Sequence, residues 1–153
     1  MIKISEITSA DKQIITADIL KKLTQWFGID SAINDYVSGV KETVFFAAYE
    51  DEKPVGFISI KSNNEYTAEI YVMGIEKPYH RKGIGIILIE KAQLFLKNNG
   101  YRFLMVKTLG ESCDYECYAR TRMFYKKCGF FPLQEIKEIW GEENPCLIMI
   151  KVL

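Results

Sequence analysis

The alternation of apolar and polar residues along the chain divides it into strands and helices. Residues 1–7 alternate as in a half-buried strand, while residues 43–49 and 55–61 are rich in β-branched and aromatic side chains and flank a polar turn. This pattern predicts a first strand and, later, an antiparallel hairpin. Residues 68–75 are apolar on both faces except for Glu69, which is typical of a strand near the centre of a sheet.

Two short amphipathic helices are predicted after the first strand. The first starts at the capping residues 9–11, carries apolar residues at three- and four-residue spacing and ends at Gly28. The second starts at Asp30 or Ser31. Together they can form one wall of a pocket, although the same aromatic side chains can equally be plain core. The aromatic residues concerned are Trp26, Phe27 and Tyr36.

The second half of the chain combines two further helices with three strands. Helical spacing covers residues 83–98 and 118–128, and strand patterns cover residues 103–106, 130–139 and 146–152. A glycine follows each helix, as is common where helices end.

These elements predict one α/β domain that spans residues 1–153. The strand at 68–75, the helix at 83–98 and the strand at 103–106 form a parallel pair with a right-handed crossover. The complete pattern predicts a mixed central sheet of about seven strands with helices on both faces. A chain of 153 residues with 48 % apolar side chains is large enough for one core.

The turn between the strand at 68–75 and the helix at 83–98 is the strongest candidate for a binding site. It carries the sequence HRKGIG at residues 80–85, with two basic side chains and two glycines. The first N–H groups of a helix have no intrahelical partner, and together with nearby basic side chains they favour a phosphate-bearing ligand. The alternative is a structural turn with incidental glycines, which is the commoner explanation for an isolated GxG.

Charge and cysteine content exclude several classes of function. Twenty basic and twenty acidic residues cancel, so we expect neither a nucleic-acid partner nor a membrane partner. The N-terminus lacks the pattern of a signal peptide and no apolar run is long enough to cross a bilayer, which predicts a cytoplasmic protein. The four cysteines form no CxxC pair and His80 is the only histidine, so we expect no metal site and reduced, mostly buried thiols.

Two motifs resemble those of the GNAT superfamily of acyl-CoA N-acyltransferases. Residues 80–85 are similar to its acetyl-CoA pyrophosphate loop, Q/R-x-x-G-x-G/A, although His80 stands where Gln or Arg is more frequent. Residues 122–130 are similar to its F-Y-x-x-x-G-F helix and strand. The order of elements resembles the family over nearly the whole chain. The resemblance implies acetyl-CoA as cosubstrate, bound by Met73, Gly74, Ile75, His80, Arg81, Lys82, Gly83, Ile84, Gly85 and Ile86.

Glu69 is the candidate general base. Acyl transfer to an amine requires the neutral amine, so a base must remove a proton directly or through water. A carboxylate in an apolar strand should have its pKa raised by desolvation. Glu69 also resembles, by position, the base glutamate of the family's histone-acetylating branch. The alternative is a structural acid paired with a lysine or with backbone groups.

Tyr125 is the candidate general acid. The departing coenzyme A thiolate has a conjugate acid with a pKa of about 8.5, so a phenol with a pKa of about 10 can supply the proton. Tyr125 matches the acid tyrosine of the family, and its alternative role is packing. An acyl-cysteine route is less favoured, because the only histidine belongs to the phosphate loop.

The sequence therefore predicts an enzyme that moves an acetyl group from acetyl-CoA to a primary amine, by direct transfer through a tetrahedral intermediate. The acceptor is a small molecule or a peptide, and Trp26, Phe27 and Tyr36 are its predicted binding residues. A homodimer is compatible with the sequence. The alternative function is a catalytically silent acyl-CoA-binding sensor.

Overall fold

The computed structural model describes residues 1–28, 30–113 and 115–153. Within them the chain forms seven strands, five α-helices and two short 3₁₀ turns at Val40–Glu42 and Lys77–Tyr79. In chain order the elements are β1 (Ile2–Glu6), α1 (Asp11–Leu20), α2 (Asp30–Gly39), β2 (Val44–Glu50), β3 (Lys53–Ser62), β4 (Thr67–Ile75), α3 (Ile84–Asn98), β5 (Phe103–Leu109), α4 (Glu116–Lys127), β6 (Phe131–Ile136), α5 (Lys137–Trp140) and β7 (Cys146–Val152).

The strands form one sheet in the order β1-β2-β3-β4-β5-β7-β6. The predicted hairpin is present, since β2 pairs antiparallel with β3, and β1 pairs antiparallel with β2. At the other end β7 lies between β5 and β6 and is antiparallel to both. The predicted mixed sheet of seven strands is confirmed, and β4 and β5 are neighbours on either side of the α3 crossover.

Two predicted elements are longer in the sequence pattern than in the structure. Helix α1 ends at Leu20, not at Gly28 as predicted. The chain continues through turns, in which the amides of Lys22, Leu23 and Trp26 each donate to the carbonyl three residues earlier. Strand β6 ends at Ile136 and is followed by α5. Its partner explains this end, because Ile136 pairs with Cys146, the first residue of β7, so the next residues have no strand to pair with.

Contacts divide the chain into two compact units. The first comprises Met1–Lys61 and Ile70–Phe95, and the second comprises Ser62–Glu69 and Leu96–Leu153. The assignment of one domain to residues 1–153 therefore stays a prediction.

The core of the first unit lies between α1 and the strands β2, β3 and β4. Phe45 and Phe57 stack with ring centroids 5.1 Å apart, and Gly74 on β4 lies against α1. A Cβ atom at Gly74 would come within 3.1 Å of Leu23 Cδ1, so glycine permits close packing at this position. The buried cluster comprises Ile15, Ile19, Leu20, Leu23, Ile33, Val40, Phe45, Ala47, Phe57 and Val72.

In the second unit, α4 is tied to the end of β5 by a buried arginine. Arg122 is 8 % exposed and its Nη1 donates to the carbonyls of Leu109, at 2.7 Å, and Gly110, at 3.1 Å. Gly129 follows α4 with φ of 93°. The four cysteines are free, with Cys113 and Cys146 buried and the other two half-buried. In the described parts of the chain, no helix combines the length and apolarity needed to cross a bilayer.

A buried carboxylate joins three segments of the first unit just before the candidate phosphate loop. Glu76 is 5 % exposed and forms ion pairs with Lys22, at 2.7 Å, and Lys53, at 3.2 Å. Burial raises the pKa of Glu76, but the hydrogen bonds and charges of the two lysines outweigh it and lower the pKa below its ordinary value of 4.5. The sequence pattern did not reveal this contact.

We expect Glu76→Gln to lower the free energy of unfolding at pH 7 by about 1–3 kcal/mol, because it removes charge-assisted hydrogen bonds from a buried group. The folded pKa of Glu76 lies below the unfolded value, so its stabilisation is complete above pH 4.5 and is lost as the pH falls through the folded pKa. Urea unfolding measured from pH 7 down to pH 3 should show the difference between the two proteins shrinking. A difference that stays constant with pH would contradict this assignment.

Candidate functional site

The candidate phosphate loop has the backbone that an anion-binding turn needs. Arg81 and Gly83 both have left-handed conformations, with φ of 61° and 80°. The amide of Ile87 donates to the Gly83 carbonyl at 3.2 Å, so the first turn of α3 starts directly after this glycine. The amides of that first turn have no carbonyl earlier in the helix to bind and carry the positive end of the helix dipole. A Cβ atom at Gly83 would meet no atom within 4 Å, so the loop has open space on that side.

The side chains of the loop fall into two groups. Arg81 and Lys82 are exposed, and Lys82 Nζ lies 5.4 Å from the ring centroid of Tyr79. The Tyr79 hydroxyl donates to Glu50, and this hydrogen bond is the main reason why the pKa of Tyr79 is raised. His80 is half-buried and turned toward the protein, where its Nε2 bonds the carbonyl of Ile75. The two basic side chains of the loop therefore face solvent, whereas His80 contacts the rest of the first unit.

The strand that leads into the loop has one buried and one partly open face. Ile70, Val72 and Gly74 are buried, whereas the alternating Tyr71, Met73 and Ile75 are half-buried. Side chains of a strand point alternately to its two faces. Of the predicted cofactor-binding residues on β4, Met73 and Ile75 therefore share the open face, and Gly74 lies against α1.

Glu69 is buried near the start of β4 and has polar partners. It is 5 % exposed, and Asn63 Nδ2 donates to its Oε1 at 3.0 Å. Lys107 Nζ on β5 lies 3.6 Å from Oε2. These are partners of the kind that a structural acid would have, and they fix the position of the carboxylate. The Cys146 thiol lies nearby, and burial is the main reason why its pKa is raised. The charge of Lys107 lowers this pKa and the charge of Glu69 raises it.

Tyr125 lies in the third turn of α4 and is 6 % exposed. Its ring packs edge-on against Phe130, with centroids 5.4 Å apart, and is tilted against Phe124. The Tyr125 carbonyl accepts from the amides of Cys128 and Phe130, which close the helix at Gly129. The F-Y-x-x-x-G-F sequence thus forms a compact helix end in which Tyr125 is well packed.

Two of the three aromatic residues predicted to line the acceptor side, Phe27 and Tyr36, are in ring contact in the first unit. Phe27 and Tyr36 meet edge to face with centroids 5.8 Å apart, and Tyr36 meets Tyr71 in the same way at 5.4 Å. All three are half-buried and pack against the α1 core, as does Trp26. They combine the packing of core residues with the partial exposure of a pocket wall.

Tyr71 was missed by sequence reasoning. A usable signal was its position on β4, two residues from both Glu69 and Met73, because residues two apart in a strand point to the same face. Lys61 Nζ lies 5.3 Å from the Tyr71 ring centroid. Burial, followed by the charge of Asp35, raises the pKa of Tyr71. Gly39 leaves the space that the ring occupies, since a Cβ there would clash with the Tyr71 hydroxyl.

The predicted site residues are distributed over both units. The loop residues 80–86, the strand residues 73–75 and the aromatic group belong to the first unit, while Glu69 and Tyr125 belong to the second. Among the described residues, no group of three or more His, Cys, Asp or Glu side chains is arranged to hold a metal ion.

Comparison with protein families gives a match to the acetyltransferase (GNAT) family model over residues 13–130. Comparison with curated proteins gives no match. The family model covers both motifs, and it extends from the first turn of α1 to the first residue after Gly129.

Solved structures with the same fold cover essentially the full chain. A GNAT-family protein from Desulfovibrio desulfuricans is 17 % identical with a TM-score of 0.83, covering 99 % of each chain. A GNAT family acetyltransferase from Elizabethkingia anophelis with acetyl-CoA bound is 18 % identical, with a TM-score of 0.74 and coverage of 99 % and 98 %. The ribosomal-protein-S18-alanine N-acetyltransferase of Escherichia coli is 16 % identical, with a TM-score of 0.79 and coverage of 99 % and 94 %.

We expect Gly39→Ala to push the Tyr71 ring out of its place, because the added methyl group would lie 2.1 Å from the phenolic oxygen. The raised pKa of Tyr71 depends first on burial, so the displaced ring should titrate closer to its ordinary pKa of 10.0. NMR of tyrosine labelled at the ring carbon that bears the hydroxyl would follow this titration. Gly28→Ala is the control, and an unchanged Tyr71 pKa in Gly39→Ala would contradict the packing described here.

Proposed function

The chain belongs to the GNAT family of acetyltransferases, and we propose that it moves an acetyl group from acetyl-CoA to a primary amine. The observation that carries this proposal is the loop between β4 and α3, with its HRKGIG sequence and its left-handed residues Arg81 and Gly83. Helix starts of this kind bind phosphate groups through main-chain amides.

In this proposal the loop holds the diphosphate of acetyl-CoA. The amides of residues 81–86 bind it, and the exposed Arg81 and Lys82 add attraction at long range. Main-chain groups of residues 73–75 hold the pantetheine arm and stabilise the oxyanion of the tetrahedral intermediate. The acetyl-CoA complex of the Elizabethkingia protein supports this choice of cosubstrate.

Glu69 acts as the base, directly or through a water molecule. The protonated amine loses a proton to this carboxylate, and its lone pair then attacks the thioester carbonyl carbon. The contacts with Lys107 and Asn63 support the role, because they hold the buried carboxylate in one position, as a base must be held.

Tyr125 acts as the acid when the intermediate collapses. The carbon–sulfur bond breaks and the sulfur takes the phenolic proton. The nitrogen releases its second proton to water, which leaves the neutral acetamide on the acceptor, and the tyrosinate regains a proton from water. The rigid packing of Tyr125 against Phe124 and Phe130 supports the role, since a fixed ring can hold its hydroxyl in one place.

The acceptor is a primary amine on a small molecule or a peptide, bordered by Trp26, Phe27 and Tyr36. The Escherichia coli structure is that of an enzyme named for an alanine of a ribosomal protein, which supports a peptide amine as one of the two acceptor classes. A cytoplasmic location and a homodimer stay predictions.

A silent acyl-CoA-binding module is the second candidate function. It is favoured by the burial of Tyr125 and by the polar partners of Glu69, which satisfy structural roles without any turnover.

We expect Gly83→Ala to weaken CoA binding about tenfold or more, because an alanine in the left-handed conformation is strained by about 1–2 kcal/mol and the loop can relax only by turning its amides away. Gly100→Ala is the matched control, since Gly100 has φ of 84°, equally open surroundings and no place in the loop. Isothermal titration calorimetry with CoA measures both. No detectable binding to the folded wild type would refute the proposed function.

We expect Tyr125→Phe to lower turnover of acetyl-CoA with an amine panel about 100-fold while acetyl-CoA affinity stays unchanged. Glu69→Gln should also lower turnover, because it removes the proposed proton acceptor. The exposed Tyr66 provides a control, and Tyr66→Phe should behave as wild type. Tight CoA binding by the wild type without turnover of any amine would favour the silent module instead.

A further inference from the structure

His80 contacts three parts of the first unit to which the proposed function gives different tasks. It belongs to the phosphate loop, its Nε2 bonds the Ile75 carbonyl at 2.6 Å, and its ring meets Trp26 with centroids 5.6 Å apart and planes at 71°. A carbonyl oxygen can only accept a hydrogen bond, so Nε2 carries the proton and donates. One side chain therefore connects the loop, the end of β4 and the aromatic group.

A short turn fixes His80 to the end of the strand. The amide of Glu76 donates to the Val55 carbonyl at 2.9 Å, the amide of Tyr79 to the Glu76 carbonyl at 2.9 Å, and the amide of His80 to the Lys77 carbonyl at 3.1 Å. These bonds bring the ring back to a carbonyl five residues earlier. Because the turn leads straight into Arg81, a displacement of the loop must also move the imidazole.

Trp26 is connected to β4 and to the loop by different contacts, one through Leu23 and the other with His80. Its amide donates to the carbonyl of Leu23, whose buried side chain packs at Gly74. That apolar contact is unaffected by charge. The contact with His80 is an edge-to-face ring contact, whose geometry depends on where the imidazole lies.

We propose that His80 is a positioning residue that couples occupancy of the phosphate loop to the placement of Trp26, so that acetyl-CoA binding prepares the acceptor side. This rests on the proposed function, in which the loop binds the diphosphate and Trp26 borders the acceptor. The main-chain amides supply the affinity for the cosubstrate. His80 transmits their occupancy through the Ile75 carbonyl and the Trp26 ring.

Two substitutions separate the two contacts of His80. His80→Gln keeps a donor for the Ile75 carbonyl and removes the aromatic ring, whereas His80→Phe keeps a ring beside Trp26 and removes the donor. Coupling requires both contacts, so each variant should lose it. CoA binding should remain, because the proposed function gives the diphosphate to the amides of residues 81–86, and the Nε2 of His80 is engaged with the Ile75 carbonyl instead of being left for the cosubstrate. The exposed Lys77 in the same turn provides the control, as Lys77→Ala leaves both contacts in place.

Trp26 supplies the readout, since the chain has only two tryptophans and Trp140→Phe removes the other. In the Trp140→Phe background, saturating CoA should shift the fluorescence of Trp26, and the shift should persist in Lys77→Ala and vanish in His80→Gln and His80→Phe. Calorimetry on the same proteins should give CoA dissociation constants within about threefold of each other, which corresponds to a difference in binding free energy of about 0.65 kcal/mol or less. Circular dichroism confirms folding, and His80→Gln alone decides the test if the Phe variant fails to fold.

Turnover gives a second readout with any amine that the wild type acetylates. Loss of coupling should raise the acceptor KM of both His80 variants about tenfold, within the usual range of coupling between sites, and leave kcat nearly unchanged. CoA binding without a shift of Trp26 fluorescence in the wild type, or an equal shift in the His80 variants, would overturn the coupling and leave the proposed function standing. Absence of CoA binding would overturn the proposed function, and the coupling with it.

Discussion

The amides at the start of α3 are the constraint on which the candidate site depends. A helix start in which backbone donors lack intrahelical partners must give them to water, to a cap or to a ligand. Here the preceding turn takes Arg81 and Gly83 into left-handed conformations, and a Cβ atom at Gly83 would meet open space. In the proposed function, affinity for the diphosphate comes from this main-chain geometry, and side chains add to it.

Three kinds of contact in the first unit hold that turn in place. Glu76 ties the turn to the segment that follows α1, through Lys22, and to the start of β3, through Lys53. Burial alone would have favoured the neutral acid there. Gly74 lets β4 approach α1 closely, and His80 closes the turn back on Ile75. Apolar packing, ion pairing and one directional hydrogen bond thus act on the same few residues.

The groups assigned to chemistry are held by a different set of contacts. Glu69 has Lys107 and Asn63 as partners, and Tyr125 is packed between Phe124 and Phe130. Arg122 fixes α4 to the end of β5 through two carbonyls. Such contacts suit residues that must keep one geometry, and they also explain why packing and catalysis are hard to separate for a buried tyrosine or glutamate from sequence alone.

The sequence by itself determined the order of the elements, the hairpin, the crossover around α3 and the family, because hydrophobic period and glycine-bearing turns are local signals. It could not locate the end of α1, where helical spacing continues beyond Leu20 but the backbone tightens, or the end of β6, which depends on where β7 begins. It also could not supply the partners of Glu76, Glu69 and His80, which are contacts between segments distant in the chain or across a turn. Only the tertiary structure decided these, because the partner of a buried polar group is set by which segments the fold brings together.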